Sequence, residues 1–122
     1  MAKILICDDS AFMRMMLRRV LEENGHEIVG EAGDGKHAVQ MFRQCKPELV
    51  TMDITMPKMD GIEAVKHIYS EDSSARIVMV TAIGQRSIIT EAIAAGAADF
   101  IVKPFDPAQV IATISKVLKQ NK

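Results

Sequence analysis

The chain has 122 residues, of which 48% are hydrophobic and 25% are charged, as expected for one soluble domain with its own core over residues 1–122. A formal net charge of -1 and the absence of tryptophan argue against a nucleic-acid or membrane partner. No apolar run is long enough to cross a bilayer, and the acidic start is unlike a signal peptide. We therefore expect a cytoplasmic protein in which Cys7 and Cys45 are reduced thiols.

Short apolar strands alternate with helical patterns along the whole chain. In chain order the predicted elements are a strand at 3–7, a helix at 10–24, a strand at 27–32, a helix at 36–45, a strand at 49–52, a helix at 62–69, a strand at 76–80, a helix at 86–95, a strand at 100–102 and a helix at 107–119. Gly25, Pro47 and Gly96 mark three of the helix ends.

Strands separated by helices pair in parallel through right-handed crossovers. The strands are almost continuously apolar, which is typical of a sheet that is covered on both faces. We predict an α/β fold with a doubly wound, five-stranded parallel sheet. Its architecture is a flavodoxin-like three-layer α/β/α sandwich with strand order 2-1-3-4-5.

Polar side chains follow four of the five predicted strands. Asp8 and Asp9 follow the first strand, Asp53 the third, Thr81 the fourth and Lys103 the fifth, whereas the second strand offers nothing obvious. Because the carboxyl ends of parallel strands share one edge of a sheet, we expect these groups to converge. Each has an ordinary explanation alone, such as helix capping for the Asp-Asp-Ser sequence, but their conjunction favours a functional site.

The chemistry of this set indicates a metal and a phosphoryl group. Three neighbouring carboxylates repel one another and raise at least one pKa unless a cation joins them. A ligand set made only of oxygens suits Mg²⁺ or Mn²⁺. A carboxylate that attacks a phosphoryl group also needs positive charge and hydrogen-bond donors around the phosphoryl oxygens, which the metal, Lys103 and Thr81 would supply.

Four segments resemble the response-regulator receiver family from end to end: LICDDS, VTMDITMPKMDG, VMVTA and FIVKPF. The chain is most similar to the single-domain chemotaxis members of that family. The resemblance implies that Asp53 is the phospho-acceptor, assisted by Thr81 and Lys103, in a signalling protein rather than an enzyme. It also implies a cis Lys103–Pro104 bond. The implied Mg²⁺ ligands are Asp8, Asp9, Asp53 and the backbone carbonyl of Thr55.

The family also implies a switch that changes affinity for a downstream partner. Phosphorylation draws the hydroxyl of Thr81 inward, and an aromatic side chain, here phenylalanine where chemotaxis members often have tyrosine, turns into the vacated space. The implied partners are a CheA-like histidine kinase, a motor or adaptor protein and a separate phosphatase, with the chain itself a monomer. We expect the partner face, on the fourth helix, fifth strand and fifth helix, to include Phe100, Ile88, Glu91, Val110 and Ile114.

Two further features of the sequence bear on the partners. Thr55 and Ile83 flank the site, and the apolar side chain of Ile83 can neither orient nor activate water, so we predict slow self-dephosphorylation. The first helix is crowded with Phe12, Met13, Met15 and Met16. Some of these side chains should lie in the core, and either one or two are exposed at a docking site for a histidine-kinase domain or the group forms a satellite core cluster.

Two alternatives and one stability expectation complete the sequence-based predictions. A phosphorelay intermediate would use the same chemistry but return the phosphoryl group to a histidine. A flavin- or nucleotide-binding enzyme is disfavoured, because the first strand–helix turn is acidic and lacks a glycine-rich cradle. Carboxylate crowding predicts that Asp8→Ala or Asp53→Asn stabilises the metal-free protein, and that Mg²⁺ stabilises the wild type.

Overall fold

Five strands and five helices alternate within residues 2–82 and 84–120, the part of the chain that the computed structural model describes. In order they are β1 (Lys3–Cys7), α1 (Ala11–Glu23), β2 (Glu27–Ala32), α2 (Gly35–Cys45), β3 (Leu49–Met52), α3 (Gly61–Glu71), β4 (Ile77–Thr81), α4 (Arg86–Ala95), β5 (Asp99–Val102) and α5 (Pro107–Leu118). The predicted elements are confirmed, with ends that differ by two residues at most. Among the described residues, no helix is both long and apolar enough to cross a membrane.

The strands form one sheet in the order β2-β1-β3-β4-β5, and every neighbouring pair is parallel. Two hydrophobic cores cover its faces because alternate strand residues point to opposite sides. Side chains of α2, α3 and α4 pack on one face, and those of α1 and α5 pack on the other. The predicted three-layer fold and strand order are therefore confirmed.

Two residues predicted on the partner face lie instead in the core. Val110 and Ile114 are 0% exposed and pack with Leu17 and Leu21 of α1 beneath the sheet. Their spacing of four residues places both on the same side of α5, and that side faces the sheet. The prediction that they belong to an exposed surface is wrong, because apolar residues at helical spacing mark the buried face of an amphipathic helix.

The ends of the strands are brought level by the register of the sheet. Cys7 pairs with Ala32 on one side and with Met52 on the other. The ladder then continues past the strands, because the backbone N–H of Asp8 donates to Ala32 O and that of Asp53 donates to Cys7 O. The residue after each of these strands is thereby held at the same edge of the sheet.

Candidate functional site

The β1–α1 turn fixes Asp8 beneath the surface and leaves Asp9 exposed. The N-cap of α1 is Ser10, whose hydroxyl oxygen accepts from the Met13 N–H at 3.2 Å. Asp8 Oδ1 accepts from the Ser10 N–H at 2.9 Å, and Asp8 is only 1% exposed. Helix capping is thus performed by the serine, and both carboxylates remain for another role.

Lys103 reaches into this edge from the end of β5. Its backbone N–H donates to Thr81 O at 2.7 Å, and its peptide bond to Pro104 is cis, as predicted. The ammonium Nζ lies 2.7 Å from Asp8 Oδ2 and 3.5 Å from Asp53 Oδ2. One lysine therefore contacts two of the three acids.

Asp53 stands directly after β3 in a buried position. Its Oδ1 accepts from the Ile54 N–H at 2.8 Å. Burial raises the pKa of the Asp53 carboxyl above its ordinary value, and the charges of Asp8 and Asp9 add to this, against the opposing effects of Lys103 and the Ile54 N–H. An acid with a raised pKa at a strand end is a candidate for chemistry.

The backbone after Asp53 is held by a close approach that only glycine permits. The Gly61 N–H donates to Ile54 O at 2.7 Å. A Cβ atom at Gly61 would lie 1.9 Å from the carbonyl oxygen of Asp53. The glycine that starts α3 therefore allows this helix to pack directly against the backbone of Asp53 and Ile54.

Carboxylate oxygens of Asp8, Asp9 and Asp53 all lie within 4.8 Å of one another. Such a set offers only hard oxygen ligands, Asp9 is exposed, and the Lys103 ammonium contacts Asp8 and Asp53. This arrangement fits a hard divalent cation. Thr55 lies on the exposed loop after β3, and the role of its carbonyl stays a prediction.

Thr81 is the last residue of β4 rather than the residue after it, and it is 1% exposed. Its neighbour in the sheet is Val102, the residue before Lys103. The predicted hydroxyl, ammonium and carboxylates therefore come from adjoining strand ends, as expected.

Burial of Cys7, together with the charge of Asp8, raises the pKa of that thiol well above its usual range, so the cysteine beside the site stays protonated and inert.

The remaining residues of the predicted partner face differ in exposure. Glu91 is exposed on α4, whereas Ile88 and Phe100 are partly buried and pack against the core on the α2–α4 side of the sheet. Ile83, to which we assigned an effect on dephosphorylation, lies outside the described residues.

The apolar side chains of α1 are largely on the surface. Phe12 is 62% exposed, Met15 49% and Met16 37%, whereas Met13 is partly buried. A groove of about 420 Å³ is lined by Phe12, Met13, Met16, Ala82, Lys103, Pro104 and Phe105. The alternative of a satellite core cluster is therefore wrong for the three exposed side chains.

Two charged residues next to the site were missed by the sequence-based predictions. Arg14 of α1 donates from Nη1 to the Asp8 carbonyl oxygen and from Nε to Glu31 Oε1 at 2.9 Å. Glu31 lies in β2, the strand to which the sequence assigned no contribution. The sequence feature that could have indicated this ion-pair cluster is an acid in the second strand, together with two arginines four residues apart in the first helix, Arg14 and Arg18.

Comparison with known proteins agrees with this geometry. The response regulator receiver domain pattern matches residues 4–115. The chain is 50% identical over 117 residues to the chemotaxis protein CheY of Thermotoga maritima, across 96% of this chain and 98% of that protein. It is 54% identical over 116 residues to the chemotaxis protein CheY of Bacillus subtilis, across 95% of this chain and 97% of that protein.

Solved structures show the same fold. The CheX–CheY complex with BeF3 and Mg²⁺ from Borrelia burgdorferi superposes with a TM-score of 0.94 and 37% identity, across 97% of this chain and 90% of that chain. The response regulator domain of Thermotoga maritima CheB gives a TM-score of 0.92 and 34% identity, with 98% of both chains covered. Since sequence pattern, relatives and fold agree, the chain belongs to the response regulator receiver domain family.

Proposed function

We propose that this response regulator accepts a phosphoryl group on Asp53 from the phosphohistidine of a CheA-like kinase and signals in chemotaxis, in the cytoplasm and as a monomer. The observation that carries the proposal is the Asp53 carboxylate, buried at the rim of the sheet with the Lys103 ammonium 3.5 Å away and two further acids beside it. Chemotaxis is favoured over a phosphorelay because the near-full-length relatives described above are named CheY.

The acidic cluster is the proposed site of one Mg²⁺ or Mn²⁺ ion. Asp8, Asp9 and Asp53 would supply carboxylate ligands, and Thr55 its backbone carbonyl. The crowding of three acids within 4.8 Å supports this assignment, because a divalent cation relieves their repulsion. When bound, the ion neutralises negative charge on the acids and on the incoming phosphoryl oxygens.

In the transfer, an Asp53 carboxylate oxygen bonds to phosphorus as the phosphorus–nitrogen bond of the phosphohistidine breaks. The bonding electron pair leaves with the imidazole nitrogen. Lys103 favours the ionised form of Asp53 that this attack requires, since its ammonium lowers the pKa of a carboxyl that burial raises. Lys103 and the Thr81 hydroxyl would then hold phosphoryl oxygens, so the chain assists its own phosphorylation.

The groove lined by Phe12, Met16 and Phe105 is the proposed binding site for the histidine-kinase domain that donates the phosphoryl group. Lys103 lines this groove and also contacts Asp53, so a domain that covers the groove brings its histidine to the mouth of the site. The exposed Phe12, Met15 and Met16 provide the adaptable apolar surface that such a contact needs.

The output face comprises the exposed part of α4 and the adjoining β5, with Ile88, Glu91 and Phe100. We propose that phosphorylation draws Thr81 towards the phosphoryl group and lets Phe100 move, which changes affinity for a motor or adaptor protein. Support comes from the partial exposure of Phe100 on β5, the strand that pairs with the one ending at Thr81.

Signal termination is assigned to a separate phosphatase. The apolar Ile83 cannot align water, so the aspartyl phosphate should be long-lived. A CheX-like protein is the candidate, because a CheY of the same fold forms a complex with CheX. Ile83→Asn should accelerate self-dephosphorylation, and an unchanged hydrolysis rate would contradict this assignment.

The central test is incubation with acetyl phosphate and Mg²⁺ followed by peptide mass spectrometry. We expect one phosphoryl group on Asp53 of the wild type and none on Asp53→Asn. The matched control is Asp60→Asn, which neutralises an exposed aspartate that caps α3 with a residue that caps equally well, and it should be phosphorylated normally. An adduct elsewhere, or none in the wild type, would overturn the proposal.

A further inference from the structure

Arg14 ties the turn that carries Asp8 and Asp9 to the edge strand β2. Its Nη1 donates to the Asp8 carbonyl oxygen at 2.5 Å, and its Nε donates to Glu31 Oε1 at 2.9 Å. The Arg14 side chain is 20% exposed, so solvent only partly screens these contacts. A planar guanidinium holds two acceptors in a fixed relative orientation.

The contact with Asp8 completes a set of restraints on that residue. The Asp8 N–H donates to Ala32 O, its Oδ1 accepts from the Ser10 N–H and its Oδ2 accepts from Lys103. The carbonyl oxygen held by Arg14 belongs to the peptide that joins Asp8 to Asp9. Rotation of that peptide would change the separation of the two carboxylates, and the Arg14 bond opposes it.

Glu31 in turn fixes the guanidinium of Arg14. It accepts from Arg14 on Oε1 and from Arg18 on Oε2. Although burial acts to raise the pKa of Glu31, the hydrogen bonds from Arg18 and Arg14 hold it below its ordinary value. Glu31 is thus an anion at neutral pH that both arginines share, and Arg18 has a second anionic partner in Glu22.

Arg18 distinguishes a positioning role from a merely structural one. It lies one turn further along α1 and pairs with the same Glu31 and also with Glu22, whereas the Asp8 carbonyl oxygen is held by Arg14. Removal of Arg18 therefore weakens the same ion-pair cluster without releasing the Asp8–Asp9 peptide.

We propose that Arg14 is a positioning residue for the phosphorylation reaction, which holds the Asp8–Asp9 peptide so that both carboxylates face the divalent-cation site. This inference rests on the proposed function of Asp53. Removal of a residue that orients metal ligands typically weakens metal affinity by about 10- to 100-fold. The effect of Arg14 should therefore appear in the Mg²⁺ requirement rather than in the rate at saturating Mg²⁺.

The test measures the Mg²⁺-dependent rise in melting temperature and the rate of phosphorylation by acetyl phosphate across the same Mg²⁺ titration, for wild type, Arg14→Gln, Arg14→Lys and Arg18→Gln. We expect Arg14→Gln to raise the Mg²⁺ concentration at half-maximal rate by about tenfold or more, with the limiting rate within about threefold of wild type. Arg14→Lys keeps the charge but not the two-pronged geometry, so it should also raise that concentration. Arg18→Gln should leave it within about twofold of wild type, because it leaves the Asp8 contact intact.

Equal Mg²⁺ shifts for the Arg14 and Arg18 variants, or no shift for either Arg14 variant, would overturn the inference while leaving phosphorylation of Asp53 intact. Failure of the wild type to become phosphorylated would instead overturn the proposed function. Urea unfolding establishes that each variant is folded, and if Arg14→Gln does not fold, Arg14→Lys decides the outcome.

Discussion

Asp53→Asn should stabilise the metal-free protein, because the folded chain crowds this carboxylate against two others. One carboxylate oxygen from each of the three acids lies within 4.8 Å of the other two, and the opposing ammonium of Lys103 lies at 3.5 Å from Asp53. At an effective dielectric constant of about 20, the two repulsions exceed the one attraction by about 2 kcal/mol. Asparagine keeps the oxygen that accepts from the Ile54 N–H and removes only the charge. We therefore expect a rise in melting temperature of roughly 5–10 °C.

The pH dependence of this difference has a definite sign. The pKa of Asp53 in the folded protein is raised above its ordinary value of 3.8, so the folded state binds the proton more tightly than the unfolded state. The wild type therefore loses stability as the pH rises through the folded pKa. The advantage of Asp53→Asn should be full above the folded pKa of Asp53 and should disappear as the pH falls towards 3.8.

Thermal melts at two pH values, with and without Mg²⁺, measure these effects. A cation at 100 times its dissociation constant stabilises the wild type by about 2.7 kcal/mol and should close the gap to the variant. Glu23→Gln, which neutralises an exposed acid at the end of α1, should change stability by less than about 0.5 kcal/mol. An Asp53→Asn melting temperature at or below that of the wild type at neutral pH, without metal, would refute the electrostatic reasoning.

Three other variants test packing and charge around the site. Thr51→Val should raise the free energy of unfolding by about 1 kcal/mol in urea titrations, because the buried Thr51 hydroxyl has no hydrogen-bond partner among the described residues; equal or lower stability would contradict this. Gly61→Ala should lower the free energy of unfolding by about 2 kcal/mol and slow phosphorylation, because the new methyl group would collide with the Asp53 carbonyl. A urea midpoint equal to that of the wild type would argue against that contact. Lys103→Met should cost about 3 kcal/mol at neutral pH by leaving the buried Asp8 carboxylate without its ion pair, and a neutral or stabilising result would contradict this account of the pair.

The contacts of Asp8 change one expectation drawn from the sequence. Carboxylate crowding alone predicts that Asp8→Ala is stabilising. In the structure Asp8 is 1% exposed and accepts from both Ser10 and Lys103, so the alanine variant would leave these donors unpaired. Asp53→Asn is therefore the better test of repulsion.

Local pattern was sufficient to predict the elements, the sheet and the central residues of the candidate site. Apolar residues recur with different periods in strands and in helices, so the two kinds of element can be told apart in the sequence. Strands that alternate with helices pair in parallel. Parallel strands place their carboxyl ends at one edge, so Asp8, Asp53, Thr81 and Lys103 could be assigned to one region from their positions alone.

Exposure and side-chain partners were decided only by the tertiary structure. The hydrophobic periodicity of α5 is the same whether Val110 and Ile114 face the sheet or a partner protein. In the structure both side chains are buried in the core that α1 and α5 form on the sheet. Arg14 and Glu31 are 17 positions apart, and only the pairing of β2 with β1 brings them together. Local sequence patterns depend on residues that are close along the chain. Which side of a helix is buried, and which acceptors an arginine contacts, depend on the distant parts of the chain that pack against them.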